Sequence, residues 1–146
     1  MHPSVHAREN PDKPAVIMAS SGEIITYGEL DRLSNKVAQL YRSRGVKIGD
    51  TVAICMENHR QFFPVTWGSQ RSGLFQVAIS SRLTADEVSY ILKDSGAKLL
   101  ISSQKMLPVV DRLRELNPDV EQLVFGVDHE RAIEPVLDSM PDTPIA

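Results

Sequence analysis

The apolar positions of this chain follow two alternating rhythms. Leu30, Leu33, Val37, Leu40 and Tyr41 recur three and four residues apart and predict a helix over 27–44, with Gly45 as its stop. Thr26 and Glu29 have capping-box spacing at its start. Val88, Ile91 and Leu92 repeat the rhythm over 85–95, between a second such pair, Thr84 and Glu87, and a terminating Gly96. Leu107, Val110, Leu113 and Leu116 predict a third helix over 104–116. Between these segments lie short unbroken apolar runs at 51–56, 75–79, 98–102 and 123–125, which suit buried strands. Asn58 reads as the cap of a further helix running to about Ser72 and packing through Phe62, Phe63 and Trp67. Pro64 must kink that helix or delay its start, because beyond the first turn proline lacks the needed N–H and clashes with the preceding turn.

Before these elements, 15–19 and 23–26 flank Ser20-Ser21-Gly22 and predict a hairpin, preceded by a turn at Pro11–Pro14. After them come a short helix at 133–138 and a proline-bearing linker. Strand and helix alternate four times, so the expected fold is α/β, a mainly parallel sheet flanked by helices with right-handed crossovers, preceded by a β-hairpin. Residues 1–130 are expected to form one α/β subdomain and 131–146 a short helix and linker.

Composition narrows the function classes. At 146 residues, 42% hydrophobic and 24% charged, the chain is globular in character. A net charge of −3 offers no basic field for nucleic acid. Residues 1–103 carry 12 basic and 10 acidic side chains and the remainder 4 and 9, so the acidic bias belongs to the C-terminal end. Cys55 is the single cysteine, which forbids an intrachain disulfide, suits a reducing cytoplasm and reads as a buried inert thiol. The start lacks the pattern of a secretory leader and no run approaches 18 apolar residues, so no transmembrane segment is expected.

Several motifs point to chemistry only superficially. Gly68 and Gly73 have the spacing of a phosphate-gripping loop, but Leu74-Phe75 stand where lysine and a hydroxyl residue belong, so Gly73 reads as a helix stop. His2, His6, His59 and His129 lack metal-ligand spacing, and Pro3 separates the first pair within a terminus. His59, beside Glu57 and Asn58 at the carboxyl end of a strand, occupies a place where α/β sheets bind ligands; an exposed ring at a helix start is the preferred reading. Asp86-Glu87 and Asp128/Glu130 suit a helix N-terminus or solvent. No catalytic, cofactor-binding or metal-ligating residue is assigned.

One ordered set of segments is more specific. Pro11 to Val16, Ile25 to Leu30 with Leu33-Ser34-Asn35 and Ala38, Gly45 to Asp50 with Val52-Ala53, Met56-Glu57-Asn58, Gln70 to Gly73, and Arg82 to Ser102 follow one another as in the N-terminal part of the acyl-adenylate-forming ligases. The chain resembles that superfamily over about residues 10–145, and acyl-CoA synthetases in particular. Met140 to Pro144 resembles the linker before the family's phosphate loop. The resemblance implies a parent enzyme that uses ATP and Mg2+ to convert a carboxylic acid to an acyl-adenylate, then passes the acyl group to coenzyme A. The family's catalytic motifs lie in later sequence, so this chain alone is expected to be inactive and to bind none of these tightly. Tyr27, Asn35, Asn58 and Arg82 match family positions and read as architecture.

The alternatives are a self-contained α/β module that binds a nucleotide or partner, and a dimerisation unit. A ligase fragment should leave apolar side chains open to water that the remainder of the ligase would cover, with Phe62, Phe63, Trp67, Val136 and Leu137 as candidates. It should then be prone to self-association.

Overall fold

The computed structural model describes residues 2–146. It opens with a helix that apolar spacing did not reveal, α1 (Pro3–Glu9), in which Pro3 takes the first turn and the His2 ring accepts from the Ser4 N–H. The hairpin follows as β1 (Pro14–Ile17) and β2 (Ile24–Thr26), antiparallel and shorter than the apolar runs suggested. Helix α2 (Tyr27–Ser43) begins at Thr26, whose hydroxyl accepts the Glu29 N–H at 3.2 Å. The reciprocal half of that capping box does not form, because the Glu29 carboxylate pairs with Arg60 instead.

Four strands then alternate with helices: β3 (Thr51–Cys55), α3 (Phe62–Arg71), β4 (Phe75–Ile79), α4 (Ala85–Ser95), β5 (Leu99–Ser103), α5 (Leu107–Leu116) and β6 (Glu121–Phe125). A 3-10 turn at Gln104–Met106 replaces the expected start of α5, and the last helix, α6, spans Glu134–Ser139. At α4 the sequence signals are all realised: Thr84 and Glu87 close a full capping box, and Gly96 adopts the left-handed conformation at φ 65°. The Asn58 cap is not formed. Helix α3 starts at Phe62 after Gln61, which places Pro64 in the first turn, where its missing N–H needs no partner.

All four strands are parallel, in the order β4-β3-β5-β6. Because side chains alternate along each strand, one face sends Val52, Ile54, Leu99, Ile101, Leu123 and Phe125 towards α2, α3 and α6. The other sends Ala53, Cys55 and Leu100 towards α4 and α5, which return Val88, Leu92, Val110 and Leu113. The inner strands β3 and β5 are covered on both faces and so read as near-continuous apolar runs, while the edge strand β4 leaves Phe75 and Ala78 open to water.

Helices α2 and α3 approach closely at Gly68. A Cβ added at Gly68 would lie 2.5 Å from Val37 Cγ1 and 2.6 Å from Val37 Cβ. Beside it the buried Tyr41 hydroxyl and Ser69 Oγ share a hydrogen bond of 2.9 Å, and burial pushes the phenol pKa well above its usual value. Gly68→Ala should therefore destabilise the chain by about 1–3 kcal/mol through overpacking, despite a helix-propensity gain of about 1 kcal/mol. Adding Val37→Ala should recover part of the loss. Urea denaturation of the two variants checks both signs; a stabilised Gly68→Ala would contradict the close approach.

Candidate functional site

The chain runs from β3 outward to β4, then returns to place β5 on the other side of β3. The carboxyl ends of β3 and β5 therefore frame a topological switch point, where open α/β sheets form a crevice. Met56 to His59 leave β3 here, and Ser103 ends β5. Ser103 Oγ donates to Glu57 Oε2, tying the two strand ends together. His59 is not an exposed ring at a helix start. It lies ahead of the turn into α3, half-buried, with Nδ1 accepting the Gln61 N–H at 3.1 Å and its ring tilted over Phe125 at 5.6 Å.

The end of β1 faces this crevice and closes a cleft of about 350 Å³ between 16–19 and Met56, Glu57, Asn58, His59, Phe62 and Phe63. Its walls include Ile17, 64% exposed, and Phe63, 47% exposed. Glu57, Asn58 and His59 give it a polar end. Three larger hollows have no exposed large apolar side chain in their walls, among them one of about 370 Å³ bounded by Gln104, Leu107, Asp128 and His129. One of about 520 Å³ lies beside the C-terminal ends of α4 and α5, and one of about 380 Å³ contains Arg44, Arg114 and Arg131. Each of those arginines is paired, with Glu121, Glu130 and Asp111 respectively.

The cleft does not suit a magnesium–triphosphate. No lysine or arginine lines it among the described residues, and nearby Arg60 is held by Glu23 and Glu29. No group of three His, Cys, Asp or Glu side chains converges to hold a metal among the described residues. Neutralising a polyphosphate requires cationic groups and convergent N–H donors, so no adenylation step is derived from this cleft.

The residues matching ligase positions are dispersed. Tyr27 begins α2 and packs its ring 5.0 Å from that of His6, fastening α1. Asn58 is exposed in a bend, and Arg82 is exposed in the turn before α4. Asn35 is buried and joins Asp31 of α2 to Arg71 of α3. Sequence reading did not find that polar cluster. The available signal was Asp31, Asn35 and Gln39 at four-residue spacing on an otherwise amphipathic helix.

The expected open surface is present in part. Phe63 is exposed, while Phe62, Trp67 and Val136 are half-buried, Trp67 beneath the edge of the His2 ring at 5.2 Å. Leu137 corrects the expectation: it is only 8% exposed, because α6 folds back to place it with Ile133 in the core shared with α2 and α3. No helix among the described residues is long and apolar enough to cross a membrane.

Cys55 lies at the end of β3, fully buried, with Sγ 3.9 Å from the Ser80 carbonyl. Burial, and secondarily the Glu57 charge, pushes its thiol pKa up to about 11. The folded protein therefore holds a proton that the unfolded chain releases. The resulting stability is present below the ordinary value of 9.0 and is lost as pH rises towards about 11. Ellman's reagent at pH 8 should label the native thiol far more slowly than the urea-unfolded one; equal rates would contradict this burial.

Comparison with known proteins bears directly on this fold. The family described as AMP-binding enzyme matches residues 4–143. The fatty acid–[acyl-carrier-protein] ligase ScoC of Streptomyces coeruleorubidus is 33% identical over 149 residues, covering 98% of this chain and 28% of that protein. The long-chain-fatty-acid–CoA ligase FadD13 of Mycobacterium tuberculosis is 35% identical over 108 residues, covering 74% of this chain and 22% of that one. The inhibitor-bound N-terminal domain of FACL13 from M. tuberculosis superposes with a TM-score of 0.88 at 30% identity, covering 99% of this chain and 36% of that structure. The chain thus spans 22–28% of the length of these two curated relatives. With nearly all of its residues matched in sequence and fold, the chain belongs to the AMP-binding enzyme family and corresponds to the N-terminal part of its AMP-forming ligases.

Proposed function

We propose that this chain is the N-terminal portion of an ATP-dependent fatty acyl-CoA synthetase, and that its role is architectural. The parent enzyme condenses a fatty acid carboxylate with ATP, releasing pyrophosphate, and transfers the acyl group from the adenylate to the thiol of coenzyme A. The observation that carries this reading is the whole-chain superposition on the N-terminal domain of FACL13. Fatty acids are favoured as substrates by the names of ScoC and FadD13. Those two relatives use different acceptors. Coenzyme A is favoured here by the match of Glu57-Asn58 and Gln70 to Gly73 to acyl-CoA synthetases.

In this reading residues 1–130 are an α/β subdomain and 131–146, anchored by Ile133 and Leu137, lead towards the phosphate loop. MgATP is held by residues of the remaining ligase sequence, and the enzyme works in the cytoplasm. The exposed Ile17 and Phe63 walls of the cleft are surface that the rest of the ligase covers.

The 146-residue chain should show no carboxylate-dependent pyrophosphate–ATP exchange, while the full-length protein should exchange with a fatty acid and then form its CoA thioester. Exchange by the short chain, or none by the full-length protein, would overturn the proposal. The short chain should also self-associate as its concentration rises, and Ile17→Ser with Phe63→Ser should reduce this in sedimentation runs.

A further inference from the structure

One polar cluster lies away from the cleft and does something a packing role does not require. Asp31, Asn35 and Gln39 stand on successive turns of α2, forming a single stripe. The C-terminal segment crosses that stripe. Asn35 Nδ2 donates to the Asp142 carbonyl at 3.0 Å, and Gln39 Nε2 donates to the Thr143 carbonyl at 2.9 Å. Behind the contact, Arg71 holds the stripe in place. Its Nη2 donates to Asp31 Oδ1 at 2.8 Å and its Nη1 to Asn35 Oδ1, which orients the Asn35 amide so that Nδ2 donates to the Asp142 carbonyl and, at 3.5 Å, to Asp31 Oδ2. Asn35 is 2% exposed and the Arg71 side chain 11%, so this orientation is fixed by buried partners.

The crossing segment is suited to such a contact. Pro141 and Pro144 have fixed φ and no N–H, which leaves a stiff run that presents carbonyls to a row of donors. Both bonds go to backbone oxygens, so they set the path of the chain regardless of its side chains. Upstream, Leu137 and Met140 are packed against the core. The segment is held at both levels, by apolar packing before Pro141 and by the stripe after it.

From this geometry we infer that Asn35 and Gln39 are positioning residues: with Arg71 and Asp31 they form a rail that sets the course on which the chain leaves the α/β layer at Asp142 to Pro144. The inference rests on the ligase reading for its functional consequence, because in the longer relatives the following sequence must be placed accurately against this layer. The rail itself is a property of this chain.

The test separates the two. Gln39→Glu is nearly isosteric but cannot donate, Gln39→Lys keeps a donor, and Asn35→Asp keeps the acceptor for Arg71 while losing the donor to Asp142. In the 146-residue chain, NMR order parameters at Asp142, Thr143 and Ile145 should be near the rigid value of about 0.85 and fall below about 0.6 in Gln39→Glu and Asn35→Asp. They should be retained in Gln39→Lys, with the core amides of all variants unchanged. A segment as ordered in both donor-free variants as in the parent would overturn the rail. In the full-length ligase, Gln39→Glu should lower kcat for adenylate formation about tenfold or more with KM for the fatty acid unchanged, and Gln39→Lys should restore it. A loosened segment with unaltered kcat would overturn the positioning role. A parent ligase that forms no adenylate would instead defeat the functional reading and leave the NMR result standing.

Discussion

The close approach of α3 to α2 is the constraint on which one whole side of this molecule depends. Gly68 has no side chain where a methyl group would enter the volume of Val37, so the two helices meet nearly backbone to side chain. That separation lets the Tyr41 hydroxyl reach Ser69, satisfying a phenol that is fully buried between the helices. One turn further along α3, it brings Arg71 within reach of Asp31 and Asn35. A wider gap would leave the buried Tyr41 hydroxyl without its partner and part Arg71 from Asp31 and Asn35, which costs more than the bonds themselves contribute. A single glycine thus sets both the apolar seam and the polar cluster beside it.

The two faces of the sheet use their buried polar groups differently. Under α4 and α5, Gln122 is satisfied by the Val110 carbonyl and Arg131, and Asn117 donates to the Ser89 carbonyl, contacts that stay within that layer. The face under α2, α3 and α6 combines apolar packing with side-chain hydrogen bonds that hold specific partners in register. Dispersion and apolar burial are tolerant of small shifts, whereas a bond of 2.9 Å between an amide and a carbonyl is not. Because the donors of Asn35 and Gln39 reach the C-terminal segment, this face is the better reference for locating further sequence.

Much of this was legible in the sequence because burial and periodicity speak locally. Strands β3, β5 and β6 are buried along nearly their whole length and contain short apolar runs, and the edge strand β4 reads as apolar although Phe75 and Ala78 are exposed; α2, α4 and α5 show one apolar stripe each. The Thr84–Glu87 box and Gly96 bracket α4 without help from anything distant. The misreadings share a cause in tertiary contacts. Helix α1 buries only Pro3 of its own residues and is held by the rings of Trp67 and Tyr27, which its own pattern does not encode. Glu29 abandons its cap for Arg60, 31 residues away in sequence. Leu137 is buried because the chain after β6 turns back, with Ala132 bridging to Val124. At the candidate site, the carboxyl end of β3 was visible as a strand terminus beside His59. The hairpin wall opposite it and the Asn35 cluster depend on packing between distant segments.

The cleft and the rail impose different demands on whatever completes the fold. The cleft presents Ile17 and Phe63 around a short polar end, and apolar area left in water forfeits about 25 cal/mol per Å² that burial would return. Such a surface is satisfied by any well-shaped apolar cover. The rail is discriminating, since it takes only a backbone whose carbonyls arrive at the spacing of the Asn35 and Gln39 donors. In a ligase whose remaining sequence continues from this segment, directional contact at the exit fixes where the next element begins, and non-directional burial around the cleft then holds the larger body against it. That order follows from chain connectivity, because the nearest residues along the chain lose the least entropy on docking.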